Sequence, residues 1–357
     1  MVLTSLALWL ACPAPDEAED PWVDPASPGP WAVGTHEDAF LSPTSGLTLP
    51  VQVWYPTTSD VTLTHLYDDL LEGTALHETD PDCTEPRPVL VFSHGNGGVR
   101  FQSIFLTEHL ASHGFVVVAP DHVGNTFFDF GDLSTEVMMF RRPSDVAETF
   151  DWLADDAGLR DCVEPAAGYA LSGHSFGGYT TLATAGAPLD VAASADWCAE
   201  TDEWLCDGLA EWALANPEQP AADLSDDRVW AALPMAPAGY EALLGGLDDL
   251  DVPTQVLGGD LDQITSMAEQ VTPLYTGLTV SPRHLGELVG ANHFTFSNAC
   301  DLAPTYEGCE DPDALTTDQA HPLIAAVATA FLRGHLGDNR SAASLPPVDG
   351  RWSWTAE

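Results

Sequence analysis

The chain has 357 residues, 45% of them hydrophobic, enough to bury one large core or two modest ones. Its 55 acidic residues face only ten basic ones, all arginine, for a formal net charge of -45. Such a surface repels nucleic acid and anionic lipid headgroups, which argues against a nucleic-acid partner, and no apolar run reaches the ~18 to 20 residues that a membrane-spanning helix needs.

Met1 to Cys12 reads MVLTSLALWLAC, a short apolar run ending in a small residue and cysteine. This resembles a bacterial lipoprotein signal cleaved before Cys12, although no Lys or Arg precedes the run. The alternatives are an ordinary secretory signal, or a start placed too far downstream. Residues 13–34 are rich in Pro, Asp, Glu and Ala and read as a flexible acidic linker. Export agrees with the cysteines: one sits at the lipidation position and six others form an even set. Sequence distance pairs Cys198 with Cys206 and Cys300 with Cys309, leaving Cys83 for Cys162. The alternative is six buried free thiols. Cys83 and Cys162 precede two predicted strands by similar distances, so a bond between them falls at the end of the sheet away from the chemistry.

Leu47–Tyr55 reads as an early strand and Pro88–Phe92 as a short buried one. Phe101–His113 carries helical spacing and stops at Gly114, and Phe115–Ala119 is a β-branched run closed by Pro120. A helix follows Pro143 over Ser144–Asp155, then a strand over Gly168–Ser172 and a helix over Tyr179–Ala185. Later strands fall at Val229–Met235, Thr254–Leu257 and His284–Val289, and Pro322–Leu336 closes the domain as a helix. Strands alternating with helices predict an α/β domain with a mostly parallel sheet covered on both faces. The domain spans 35–337, with an insertion or lid over 190–226 and a carboxy-terminal tail over 338–357. In such sheets, reactive residues lie just past the carboxyl ends of strands.

Gly173-His-Ser175-Phe-Gly177 fits G-x-S-x-G between a predicted strand and a predicted helix. In that context the serine sits on a strained turn, with the next backbone N–H at a helix start. Ser175 is therefore the candidate nucleophile. It needs a general base, and the base needs a carboxylate, in the chain order Ser, acid, His. His293, in the loop Gly290-Ala-Asn-His293, lies just past a strand, whereas His284 falls inside one and His321 and His335 flank the last helix. Asp262 is the chosen acid, after the strand Thr254–Leu257; Asp260 is the runner-up and Asp196 a distant third. The oxyanion hole takes backbone N–H groups from Asn96, in His94-Gly-Asn-Gly-Gly98, and from Phe176. His94 reads as a residue bracing this loop.

Together Val91-Phe-Ser-His-Gly95, Leu110-Ala-Ser-His-Gly-Phe115, Ala119-Pro-Asp-His122 and Gly173-His-Ser-Phe-Gly-Gly178 resemble the platelet-activating factor acetylhydrolase and dienelactone hydrolase-like branch of α/β-hydrolases. The resemblance covers roughly Thr35 to Leu336. It implies the α/β-hydrolase fold, a serine triad, no cofactor, and hydrolysis of short, oxidised or lipid-like acyl esters or related polymeric ones. Two departures stand out. The animal acetylhydrolases place their acid after the strand that here ends Leu233-Pro-Met-Ala-Pro237, where no carboxylate occurs, and the dienelactone hydrolases proper use cysteine rather than serine.

Phe127, Phe128, Phe130, Met138, Met139 and Phe140, with Trp197, Trp204 and Trp212, are expected either to wall an acyl pocket or to pack insertions. Phe127, Phe128 and Trp197 are the substrate-binding candidates. Nothing resembles a metal cluster, a phosphate-cradling loop or a dinucleotide fingerprint. The expected partner is a small or lipid-like ester, with membrane contact only through an anchor at Cys12. Competing readings are an amide or peptide hydrolase with the same triad, or a non-catalytic binding protein on this scaffold.

Overall fold

A computed structural model describes residues 22–131, 135–156, 158–199, 206, 209, 212, 221–306 and 308–357. The expected signal at residues 1–12 and the expected linker as far as residue 21 lie outside these. Numbered along the chain, the first strands are β1 (Ala32–Leu41), β2 (Thr48–Thr57), β3 (Thr64–Tyr67), β4 (Leu71–His77), β5 (Val89–Ser93) and β6 (Val116–Pro120). They are followed by β7 (Tyr169–His174), β8 (Leu189–Asp190), β9 (Ala221–Ala222), β10 (Val229–Met235), β11 (Thr254–Gly259), β12 (Arg283–Leu288) and β13 (Trp352–Ala356). One eleven-stranded sheet runs β13-β12-β11-β10-β7-β5-β6-β2-β1-β4-β3. Its centre, from β12 to β6, is parallel throughout. This is the α/β-hydrolase fold.

The central strands are apolar on both sides because both faces are covered. Val89, Val91, Val116, Val118, Tyr169 and Leu171 point into one core, beneath helices α2 (Thr135–Asp155) and α3 (Phe176–Thr184). Leu90, Phe92, Val117, Ala119 and Ala170 point into the other, beneath α1 (Ile104–Ser112) and the helix Thr317–His335. Two helices start earlier than their prolines suggest. Pro143 lies within α2 and Pro322 within the last helix.

Both ends of the domain extend past their expected limits. The described part of the linker is docked: Gly29 donates to Ser112 Oγ at 2.9 Å, Pro25 O accepts from His109 at 2.9 Å, and the Arg87 guanidinium lies 4.4 Å from the Trp31 ring. The expected tail instead contributes β13, which pairs antiparallel with β12 and covers what would be an exposed sheet edge. The 190–226 insertion carries α4 (Val191–Cys198) and the small ribbon β8–β9.

All three disulfides have the expected pairing: Cys83–Cys162, Cys198–Cys206 and Cys300–Cys309. The first joins the segments leading into β5 and β7, strands that are neighbours in the sheet. It therefore lies at the amino ends of the strands, away from Ser175. Its removal in a Cys83→Ser, Cys162→Ser variant should lower unfolding stability by up to ~4 kcal/mol and leave turnover per folded molecule unchanged. Denaturant melts beside an activity assay check both halves.

Candidate active site

Ser175 stands between β7 and α3 with φ 59° and ψ -118°, outside the comfortable range of an L-residue. The flanking glycines make the turn possible. A Cβ on Gly173 would meet Gly177 O at 2.3 Å, and one on Gly177 would meet Ser93 O at 1.9 Å. Hydrogen bonds lock the turn from outside: Ser175 N–H donates to Met235 O at 3.0 Å, and Ala238 N–H donates to Ser175 O at 3.0 Å. Ser175 lines a cavity of about 630 Å³ together with Asn96, Trp197, Tyr240, His293 and Tyr306.

His293 enters on a short turn after β12. Asn292 caps that turn by accepting from the N–H groups of Phe294 and Thr295, and its own amide donates to Gly308 O at 2.8 Å. His293 Nδ1 lies 2.8 Å from Asp262 Oδ2, with Asp262 buried. Asp262 also accepts from the N–H groups of Ile264 and Thr265 through Oδ1, both at 2.8 Å. Burial alone would raise its pKa. The His293 hydrogen bond and charge and the Thr265 donors outweigh it and hold the carboxyl at about 2. With Nδ1 committed to the carboxylate, Nε2 is the nitrogen left to take a proton from an attacking hydroxyl. Asp260, at the same strand end, instead accepts from Gly290 N–H at 2.6 Å on the exposed side. Asp196 lies on α4.

Thr265 is a member of the site that the sequence reading missed. Its Oγ1 lies 2.8 Å from Asp262 Oδ2, 2.9 Å from Ala236 O and 3.0 Å from His293 Nδ1. The available signal was local: an Asp followed three residues later by Thr is the pattern of a side chain capping its own loop.

On the other side of Ser175, the loop His94–Gly98 brings Asn96 to the cavity, and Phe176 begins α3. Asn96 Oδ1 accepts from Asn125 Nδ2 at 2.7 Å, and Gly97 N–H donates to Asn125 O at 3.1 Å. Asn125 Oδ1 in turn accepts from Arg142 Nη1 at 2.7 Å. Arg142 is fully buried, donates to His94 O and lies 4.6 Å over the Phe176 ring, so one guanidinium braces both the loop and α3. Burial pushes its pKa down to about 9 against the opposing charge of Asp145. His94 bridges Gly95 O and the His122 N–H.

Behind this loop Ser93, His122 and Asp145 form a hydrogen-bonded Ser–His–Asp chain. His122 lies 2.9 Å from both Ser93 Oγ and Asp145 Oδ2. All three residues are wholly buried, so the arrangement gives a substrate no access. Ser175, by contrast, opens on the cavity.

The substrate-wall candidates divide. Trp197 lines the cavity. Phe127 and Phe128 do not: they are 64% and 57% exposed, on a turn folded back on Asp129, which accepts from the N–H groups of Gly124 and Thr126. Met138 and Met139 are core residues, Phe140 stacks on Trp212, and Trp204 lies outside the described residues.

Residues 72–199 match the profile of the chlorophyllase family, less than half of the chain. The chain is also similar to bacterial cutinases. It is 27% identical over 208 residues to cutinase est1 of Thermobifida alba, covering 57% of this chain and 53% of that protein. It is 27% identical over 209 residues to cutinase 2 of Thermobifida cellulosilytica, covering 57% and 60%. The chain thus spans between half and three-fifths of the length of these relatives.

Proposed function

We propose that this protein hydrolyses carboxylic esters through an acyl-enzyme on Ser175. The observation that carries the reading is a single cavity lined by Ser175 and His293, with His293 Nδ1 held by the ionised Asp262. Ser175 Oγ attacks the ester carbonyl while His293 Nε2 takes its proton, and Asp262 stabilises the resulting imidazolium. The carbonyl oxygen, now an anion, is received by the N–H groups of Asn96 and Phe176. Collapse of the tetrahedral species expels the alcohol, which takes the proton from His293. Water, activated by the same base, then releases the acid and restores Ser175.

Similarity to cutinases and to the chlorophyllase profile supports an ester as substrate. So does the cavity wall, with Trp197, Tyr240, Leu244, Ile264, Phe294 and Tyr306 around the reacting groups. Among the described residues its acidic members are Glu241 and Glu269, which favours uncharged esters over anionic ones. Adjoining cavities share Tyr240 and Leu244 on one side and Phe294 and Tyr306 on the other. Such a groove suits an extended lipid-like or polyester chain better than a compact acetyl ester. The three disulfides support an oxidising compartment outside the cytoplasm. Attachment through Cys12, outside the described residues, is the accompanying proposal.

A p-nitrophenyl ester series from acetyl to dodecanoyl, with a matched anilide, tests the reading. The expected result is ester turnover rising past the acetyl member, with far slower anilide cleavage. Turnover of the anilide alone would move the activity to amides, and no turnover of any member would remove it.

A further inference from the structure

The histidine inside the nucleophile motif and a glutamine in the loop before α1 are joined in one hydrogen-bonded chain. Gln102, buried, accepts through Oε1 from the Gly95 N–H at 3.1 Å. That assigns its amide nitrogen to the other side, where Nε2 lies 3.1 Å from His174 Nδ1. An amide nitrogen can only donate, so Nδ1 accepts and the imidazole proton sits on Nε2. His174 Nε2 lies 2.9 Å from the carbonyl oxygen of His293, the acceptor this proton requires. The donor directions are therefore mutually consistent from end to end. Burial, and after it the neighbouring His293, hold the His174 pKa at about 3, so the ring stays neutral and the directions do not reverse at ordinary pH. The Gln102 backbone extends the contact, accepting from Asn298 N–H at 2.6 Å just beyond the His293 turn. Gly98 leaves room for the amide: a Cβ there would meet Gln102 Oε1 at 2.1 Å.

We propose that Gln102 and His174 are positioning residues, forming a bridge that sets the loop carrying the Asn96 N–H and the turn carrying His293 at a fixed separation on either side of Ser175. Neither lines the cavity or hydrogen-bonds a reacting atom, although the His174 ring packs with its centroid 4.6 Å from that of His293. One end of the bridge is Gly95, the residue before Asn96; the other is the backbone of the base itself. Catalysis by oriented donors is sensitive to displacements well under an ångström, so a strut between the two halves of the site acts on turnover rather than on substrate capture. The inference rests on the serine-hydrolase reading above.

The experiment uses the whole chain and three variants. Gln102→Leu breaks both contacts, Gln102→Glu keeps the acceptor for Gly95 and loses the donor to His174, and His174→Gln replaces the ring. Active sites are counted by fluorophosphonate titration, and kcat and KM are measured per titrated site on an ester and its thionoester. A thiono sulfur accepts hydrogen bonds poorly, so a displaced oxyanion loop penalises the oxygen ester more. Gln102→Leu should lose ~10- to 100-fold in kcat, less than outright removal of an oxyanion donor, with KM little changed and the ester-to-thionoester ratio reduced. Gln102→Glu should fall between it and wild type. Wild-type kcat and ratio per titrated site in Gln102→Leu would overturn the proposal, even if the variant melts earlier. Should that variant fail to fold, the same criterion applies to Gln102→Glu. A wild-type chain that neither labels nor hydrolyses would remove the serine reading and, with it, any role for the bridge.

Discussion

Replacing Ser175 by alanine should abolish ester hydrolysis, a loss on the order of 10⁶-fold in kcat, with no fluorophosphonate labelling and an unchanged melting profile. The size follows from the division of labour. Without Oγ no acyl-enzyme forms, and the remaining groups can only polarise a carbonyl toward bulk water. The fold should be indifferent, because the hydrogen bonds that lock the turn use the Ser175 backbone and not its side chain. Alanine must still adopt φ near 59°, a strain the serine already bears. Turnover within tenfold of wild type would sink the nucleophile assignment. Ser93 would then be no substitute, since it is wholly buried.

The parts of the fold that could be read from sequence share a physical cause. The β5, β6, β7, β10 and β11 strands lie between two helical layers, so nearly every residue in them is buried and most are apolar. The strands of the main sheet that were not anticipated lie towards its edges, where that pressure is absent. β1 carries His36, Glu37 and Asp38, and β3 and β4 alternate buried and exposed positions over only a few residues. β13 is five residues at the end of a mostly polar tail, held by its register against β12. Ser175, Asp262 and His293, the residues proposed to react, could be picked out because each follows a strand in a fixed chain order. Their support could not, since Thr265, Asn125, Arg142 and Gln102 reach the site through the fold rather than through a motif. Phe127 and Phe128 show the reverse failure: apolar residues in the right segment, turned outward by a loop that folds on its own aspartate.

Asp262→Asn should lower turnover on the order of 10⁴-fold by analogy with loss of the correct histidine tautomer, whereas Asp260→Asn should stay within a few-fold of wild type. The carboxylate accepts from His293 Nδ1 at 2.8 Å, which keeps the imidazole proton there and leaves Nε2 basic. An asparagine nitrogen placed toward Nδ1 would donate instead, moving the ring proton to Nε2, where it cannot receive one from Ser175. The Asp260→Asn change would retain an acceptor for Gly290 N–H, at a position away from the ring. The opposite ranking would transfer the role to Asp260. Small effects from both would reopen Asp196. Stability gives an independent reading of the same contact. A carboxyl held at about 2 in the fold, below its ordinary value of 3.8, contributes stability above pH ~4 that is lost as pH falls through 2. Denaturant melts of wild type and Asp262→Asn should therefore converge by ~2 kcal/mol between pH 6 and pH 2, and a gap that stays constant would show that Asp262 is not held by His293.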